Sequence, residues 1–185
     1  MLTVGEKTEV EREDNLNDHG YQVREVFAQF GLAMYKAQVL EQALVNVLTY
    51  AQASKASYPS PEIFEAFLDD NLTVTMGRIL RRLEPYLEND QLFGRELSDA
   101  LTLRNRLAHS YFREHDHDFF SFTGRETMLA EVIAAQEQFA SLDKRLEPVL
   151  HRFLESAGVS PDFLSSFLKA NLESITEAAK RRDSE

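Results

Sequence analysis

Residues 21–53, "YQVREVFAQFGLAMYKAQVLEQALVNVLTYAQA", decide the fold, because their apolar side chains recur at helical spacing. One series repeats every seven residues, and a second series of the same period is offset from it by three. The first series is Val23, Phe30, Ala37, Leu44 and Ala51, and the second is Val26, Ala33, Leu40 and Val47. Two such series form one apolar seam on a helix. The stretch therefore predicts a long helix, from about Tyr21 to Ala53, packed along a bundle.

A second long helix is predicted after residue 122. Thr123 and Glu126 in "TGRE" have the spacing of a capping box, which predicts its start. Its seam consists of Met128, Ala135, Leu142 and Val149, interleaved with Val132, Phe139, Leu146 and Phe153. Pro148 falls inside this pattern and is expected to kink or locally break the helix.

Shorter helices are predicted between the two long ones, at about 61–70, 75–87 and 90–112. Ser60 before Pro61 predicts the start of the first, and Asn89 or Asp90 is expected to cap the third. Residues 113–122 are expected to form a loop. A second Ser-Pro-acid sequence, at 160–162, predicts a final helix that frays near the end of the chain.

The fold class predicted from this pattern is all-α. The chain has only seven glycines and five prolines, and its sequence shows no alternating strand, hairpin or glycine-rich phosphate loop. We expect two long antiparallel helices, shorter helices beside them and a C-terminal helical extension. The predicted organisation is a disordered acidic arm at 1–18, a helical domain at 19–157, and a C-terminal helix with a frayed tail at 158–185.

Composition limits the classes of function. The 185 residues contain no cysteine, which excludes a thiolate nucleophile and cysteine-ligated metal sites. No apolar run approaches the roughly 20 residues that span a bilayer, so a soluble, cytoplasmic protein without membrane contact is expected. The net charge of −11 argues against a protein that coats nucleic acid. It leaves open a local contact with one stretch of RNA, or a basic protein partner.

The sequence richest in polar chemistry is "RNRLAHSY" at 104–111, near the end of the third short helix. One helical stripe is apolar except for Arg104, and it consists of Phe93, Leu97, Ala100, Arg104, Leu107 and Tyr111. A neighbouring stripe is wholly polar and consists of Ser98, Thr102, Asn105 and His109. Between Arg95 and Arg113 there are four arginines against two acids, so this end of the helix is a positive island.

These side chains suit the cleavage of RNA without a metal or another cofactor. Imidazole exchanges protons near neutral pH, as His109 would have to do. Arg104 could hold phosphate oxygens, and Asn105 could orient the histidine or the phosphate. Tyr111 could donate a hydrogen bond or stack on a base. A structural interpretation stays open: His109 as a cation favoured at a helix C-terminus, and Arg104 as the ion-pair partner of Glu41.

"RNRLAHSYF" resembles the signature of the HEPN superfamily (higher eukaryotes and prokaryotes nucleotide-binding), in its longer Arg-x4-His-x-Tyr form found in the HepT toxin branch. Arg104, Asn105, His109 and Tyr111 match this form. "TVTMGRILRRL" is similar to a "TLGxL" segment that precedes the motif in prokaryotic members, with Met76 where leucine is usual. The resemblance covers roughly residues 20–155.

The resemblance implies an all-α bundle and a homodimer in which two motifs face each other across one composite cleft. It implies RNA cleavage, often in toxin–antitoxin or phage-defence systems, with Arg104, Asn105 and His109 as catalytic residues. An antitoxin of the nucleotidyltransferase type is the implied protein partner, and Tyr111 is the candidate residue that it modifies. Arg106 is a further candidate for regulation or substrate contact.

Three other features carry weaker hypotheses. "EHDHD" at 114–118 could bind a metal but is typical of a short polar loop. Three arginines on the helix predicted at about 75–87 form a solvated face or contact the RNA backbone: Arg78, Arg81 and Arg82. Three phenylalanines pack in a core or an interface, or stack on bases: Phe119, Phe120 and Phe122. The leading prediction is a dimeric, metal-independent endoribonuclease, and the alternative is a non-catalytic helical dimer that binds a protein partner or a nucleotide.

Overall fold

The structure is a computed structural model that describes residues 4–56, 61–87, 90–156 and 180. The described residues form six α-helices and contain no strand. The helices are α1 (Val4–Ala53), α2 (Pro61–Leu72), α3 (Met76–Leu83), α4 (Gln91–His109), α5 (Tyr111–Glu114) and α6 (Phe122–Ser156). Two 3-10 turns follow α3 and α5, at Glu84–Tyr86 and Asp118–Phe120. The prediction of an all-α bundle is confirmed.

The first helix begins at Val4 rather than near Tyr21. Residues 4–18, which were expected to be a disordered arm, are therefore helical. This segment contains no proline and is rich in glutamate, which favours a helix. Extension of a helix that is already packed also needs no new nucleus, so a polar segment can continue it at little cost.

The two long helices run parallel, which corrects the antiparallel arrangement that was predicted. Arg125 of α6 donates from Nε to the side chain of Gln22 on α1 over 2.9 Å. Further along, Gln136 of α6 donates to the backbone carbonyl of Gln29 over 3.0 Å. Because the contacting positions rise together on both helices, α1 and α6 point the same way.

α1 and α6 are parallel because α4, which lies between them in the sequence, carries the chain back along α1. Arg104 in α4 contacts Glu41, with 3.3 Å between Nη2 and Oε2. Just beyond α4, the ring of Phe112 lies 5.5 Å from that of Phe27, which precedes Glu41 by fourteen residues on α1. Since α4 runs opposite to α1, and α6 runs opposite to α4, α6 is parallel to α1.

The predicted seams of α1 and α6 are confirmed. All of their members except Val23 and Ala51 belong to, or pack against, one core with residues of α3 and α4, and the most central of them have no exposed surface. These central residues include Val26, Ala33, Leu40, Val47, Met128, Val132 and Phe139. The repeat of seven with an offset of three therefore identified the buried face of both helices.

Capping was predicted correctly for α4 and wrongly for α6. The carboxylate of Asp90 accepts a hydrogen bond from the backbone N–H of Phe93 over 3.0 Å. At α6 the cap is Ser121, whose Oγ accepts from the backbone N–H of Gly124 over 3.0 Å. Thr123 already lies inside α6 and cannot act as its cap.

Of the remaining predictions, the one at Pro148 falls on described residues, and those at Ser60 and at 160–162 do not. Pro148 is part of α6, which continues to Ser156, so it does not break the helix. The Ser60 cap and the 160–162 helix start lie outside the described residues, as does all of the 158–185 extension except Lys180. Within the described ranges, no helix combines the length and apolarity needed to cross a bilayer.

Candidate functional site

The motif is divided by a break in the helix. α4 ends at His109 because the backbone leaves helical geometry at Ser110, where φ is −133° and ψ is −16°. The Ser110 hydroxyl donates to the carboxylate of Glu114, which fixes the short α5 against this break. The helix predicted to continue to about Phe112 is therefore interrupted, and His109 stands at the C-terminal end of α4.

The polar stripe of α4 is exposed, but only its last two members present polar atoms that are not bonded within the helix. Ser98 and Thr102 each donate to the carbonyl four residues earlier, over 3.1 Å. His109 is exposed and has no hydrogen-bond partner among the described residues. Asn105 makes no hydrogen bond to it; its Oδ1 accepts from Nη1 of Arg104 over 3.2 Å. Asn105 and His109 are thus the two exposed members of the stripe whose side chains do not donate to a backbone carbonyl of the helix.

Arg104 lies at the boundary between core and solvent. Its side chain is 29% exposed and pairs with Glu41, which is 25% exposed. A half-buried guanidinium needs such a partner, so the pairing with Glu41 considered in the sequence is present. Arginine carries five N–H donors, and the contacts to Glu41 and Asn105 use only two of them. The other three donors make no hydrogen bond to the described residues.

Arg106 is occupied by acids of two other helices. Its Nε lies 2.6 Å from Glu114 Oε2, and its Nη2 lies 3.1 Å from Glu131 Oε2. The hydrogen bond to Glu114 is the main reason that the pKa of Arg106 is raised. Arg106 therefore ties α4 to α5 and α6, and this geometry gives no support to the predicted contact with substrate.

His115, predicted to lie in a polar loop or a metal site, is buried and only 7% exposed. Its Nδ1 lies 2.8 Å from Asp118 Oδ2, and its Nε2 lies 3.2 Å from Glu131 Oε2. Arg106 Nη2 is also 3.2 Å from Nε2. We call these five residues the inner ion cluster: Arg106, Glu114, His115, Asp118 and Glu131. His115 follows the buried Tyr111 by four residues, and this helical spacing could have indicated its burial.

The two histidines of "EHDHD" have different surroundings. His117 has a side chain that is 99% exposed, in contrast to the buried His115. Among the described residues, no group of three or more histidine, aspartate or glutamate side chains is placed to hold a metal ion.

Tyr111 is a core residue. It is 1% exposed, and its hydroxyl donates to the backbone carbonyl of Met128 over 2.9 Å. Its ring stacks on Phe30 at 5.7 Å and lies 4.7 Å from that of His115. Burial raises the pKa of the hydroxyl. In this conformation a modifying enzyme has no access to the hydroxyl, so the implied modification of Tyr111 gains no support.

The basic turn on α3 lies away from the motif. Arg82 is paired with Asp70, with 2.6 Å between Nη1 and Oδ2. Arg81 and Arg95 line an open groove of about 550 Å³ between α3 and the N-terminal half of α4. Because His109 is at the other end of α4, a contact by these arginines would be remote from the motif.

Phenylalanine rings meet at the surface beside the break in α4. The ring of Phe27 lies 5.5 Å from the rings of both Phe112 and Phe119. Phe120 lies 6.1 Å from Phe119 and is 81% exposed, so it does not pack in the core. We call these four residues the aromatic cluster.

No protein-family model, curated protein or solved structure matches this chain. The resemblance to the HEPN superfamily therefore stays a prediction that rests on Arg104, Asn105, His109 and Tyr111.

Proposed function

We propose that the chain is a metal-independent endoribonuclease of HEPN type that acts as a homodimer. The observation that carries the proposal is the exposed imidazole of His109, which has no partner among the described residues. It stands just after Asn105 and Arg104, one helical turn or slightly more away on α4. His115 of the neighbouring segment is buried instead and meets Asp118 and Glu131.

The proposed reaction is a transesterification. His109 takes the proton of a ribose 2′-hydroxyl, and the 2′-oxygen attacks the adjacent phosphorus. The bond from phosphorus to the 5′-oxygen breaks, and His109 of the partner subunit protonates that oxygen. The products are a cyclic phosphate and a free 5′-hydroxyl. Arg104 offsets the charge that develops on the phosphate oxygens, and Asn105 orients Arg104.

A second copy of the chain is the proposed source of the second motif. α1, which carries Glu41, also exposes an apolar stripe at helical spacing: Leu32, Tyr35 and Val39. An exposed stripe of this kind favours association with another protein surface. Glu41 lies on the opposite flank of α1, so the stripe supports association of two copies but does not by itself bring Arg104 to their junction.

A role as a toxin or phage-defence effector, restrained by an antitoxin, completes the proposal. The nucleotidyltransferase-type antitoxin remains the proposed protein partner. Since the hydroxyl of Tyr111 is buried, we expect restraint to act through another residue or by binding.

One observation favours a second candidate, a non-catalytic helical dimer that binds a protein or a nucleotide. The chain has a net charge of −11, which opposes the approach of RNA. Such a dimer would keep the exposed stripe on α1 but would not cleave RNA.

Cleavage of total cellular RNA in the presence of EDTA separates the two candidates. We expect cleavage to 2′,3′-cyclic phosphate ends, reduced about 10²- to 10⁴-fold by His109→Ala. His117→Ala is the matched control, because it removes an exposed histidine outside the motif. Equal cleavage by the wild type and His109→Ala would refute the nuclease, whereas a dimer without cleavage would favour the alternative.

A further inference from the structure

The aromatic cluster, Phe27, Phe112, Phe119 and Phe120, has no role in the proposed reaction. Phe120 is 81% exposed and Phe27 is 53% exposed, although their rings touch neighbouring phenylalanines. Single exposed apolar residues are ordinary on protein surfaces. Here the two exposed rings are joined through Phe119, which is partly buried against the core, so the rings form one connected aromatic surface.

Two arginines flank the cluster. Arg24 precedes Phe27 by three residues on α1, so both project from neighbouring positions of that helix. Its Nε donates to the backbone carbonyl of Gly20, and Arg24 has no ion pair with residues 20–56, 62–87 or 90–156. Arg113 follows Phe112 directly, is exposed, and likewise has no ion-pair partner in that part of the chain. Both guanidinium groups are available to an anion.

Two acids of the segment that carries the cluster have partners, whereas Asp116 between them is exposed and meets only His117 of the described residues. Glu114 is paired with Arg106, and Asp118 accepts from the imidazole of His115. The aromatic surface is thus bordered by two arginines without acid partners in the described ranges, by two partnered carboxylates and by the exposed Asp116. Arg24 and Arg113 are the groups that could pair with an anionic ligand beside the rings.

The turn that carries Phe120 is held firmly. The carbonyl of Phe119 accepts from Nη1 of Arg125 over 2.9 Å. Gly124 packs so closely on the turn that an added Cβ would lie 2.2 Å from the carbonyl oxygen of Asp118. A ring presented on a fixed turn loses little freedom when it binds a ligand.

We propose that the aromatic cluster is a stacking platform for the bases of single-stranded RNA. The inference rests on the proposed function and deepens it by naming the form of the substrate. Unpaired bases stack on exposed rings, and the phosphates between them pair with Arg24 and Arg113. Duplex RNA keeps its bases stacked on each other and cannot use the platform in this way.

The platform is adjacent to the proposed catalytic histidine. Phe112 follows His109 by three residues, so their Cα atoms lie within about 11 Å of each other. A base on the cluster would therefore belong to a nucleotide close to the phosphate that is cleaved.

Fluorescence anisotropy with a labelled oligouridine of about twelve nucleotides tests the platform. The binding assay uses the full chain with His109→Ala, so that the probe stays intact. In that background we expect Phe120→Ala to weaken binding by roughly 5- to 150-fold, which is the range for the loss of one stacked base. Phe120→Tyr should bind normally, and Leu92→Ala is the matched control, because Leu92 is 66% exposed on α4 and lies outside the cluster.

Phe120→Leu separates stacking from a general apolar contact. Leucine keeps apolar area but has no ring face, so the platform predicts weakened binding for this variant as well. Normal binding by Phe120→Leu would overturn the proposal, and so would equal affinity for single-stranded RNA and a duplex of the same length. A change in molecular mass on Phe120→Ala would instead identify the cluster as an interface between protein chains.

The outcomes for the platform and for the nuclease are distinguishable. Cleavage that depends on His109 with no effect of Phe120→Ala on binding or on KM would overturn the platform alone. RNA binding that depends on Phe120 without cleavage would overturn the nuclease and leave the platform. The absence of RNA binding by every variant would overturn the platform, and the EDTA cleavage assay would then decide the nuclease separately.

Discussion

His109 and His115 lie six residues apart and have opposite surroundings. His109 is exposed on the outer face of α4 and has no partner in the described part of the chain. His115 is 7% exposed and meets Asp118, Glu131 and Arg106. The side chains of this short segment thus fall into two groups. The inner ones stabilise the fold, and the outer ones are exposed and available to a ligand.

The arginines follow the same division. Arg106 belongs to the inner ion cluster and connects three helices through Glu114 and Glu131. Arg104 lies between the two regions, since it donates to Glu41 on α1 and also to the exposed Asn105. We expect substitutions in the inner region to lower the free energy of unfolding, and substitutions in the outer region to lower activity alone.

The largest effect on the inner region is expected from Gly124→Ala. The new Cβ would lie 2.2 Å from the Asp118 carbonyl oxygen, so the turn that holds Asp118 against His115 must move. We expect a loss of about 3 kcal/mol in the free energy of unfolding, measured by urea denaturation. Gly31→Ala is the matched control: its Cβ would meet nothing within 4 Å, and helix propensity predicts stabilisation by about 0.5–1 kcal/mol. Equal effects of the two variants would contradict the close packing at Gly124.

Replacement of each histidine by alanine tests the division directly. His115→Ala leaves Asp118 without its imidazole partner and opens a cavity, so we expect a loss of about 2 kcal/mol. His109→Ala removes no contact with the described residues and should change stability by less than about 0.5 kcal/mol. Thermal and urea unfolding of both variants measure the difference. A larger loss for His109→Ala would show that the comparison is mistaken.

Tyr111→Phe should have a smaller effect. It removes the hydrogen bond from the hydroxyl to the carbonyl of Met128 but keeps the packed ring, so we expect a loss of about 1 kcal/mol. RNA cleavage should be unchanged, because the hydroxyl does not reach the outer face. Tyr35→Phe is the control, since Tyr35 is 61% exposed. A marked loss of cleavage with Tyr111→Phe would place the hydroxyl in the reaction.

The smallest effect concerns pH. Hydrogen bonds from Ser110 and Arg106 lower the pKa of Glu114 from its ordinary 4.5. A lowered pKa contributes stability that is present above the unfolded value and is lost as the pH falls through the folded value. The wild type should therefore be more stable than Glu114→Gln at pH 7, and the gap should close below about pH 4. Melting curves across this range measure the gap, with the exposed Glu137→Gln as control. A gap that widens on acidification would contradict the sign.

The features that repeat along the chain could be predicted from the sequence. The seam positions of α1 and α6 recur every seven residues, and this period alone identifies the buried face. The pairing of Arg104 with Glu41 was also foreseen, because an arginine on an apolar stripe requires an acid nearby. The exposure of the Asn105 and His109 stripe follows from the same helical geometry.

Features that depend on distant contacts could not be predicted in this way. The direction of α6 relative to α1 depends on the reversal made by α4, which no local pattern records. The burial of His115 depends on Glu131 of α6 and on the break at Ser110. The cap of α6 was misassigned because "TGRE" and Ser121 both offer suitable residues, and only the packing of Gly124 on Asp118 decides between them.

The parallel pairing of α1 and α6 has a consequence for the order of folding. The residues that join these helices are separated by 103 positions in one contact and by 107 in the other. During synthesis from the N-terminus, the seam of α1 emerges early and stays uncovered on its α6 side until most of the chain has been made. Closing so long a loop is entropically costly, which slows this step relative to the formation of the individual helices. A nascent chain that stops before α6 would therefore expose the α1 seam to aggregation and to chaperones.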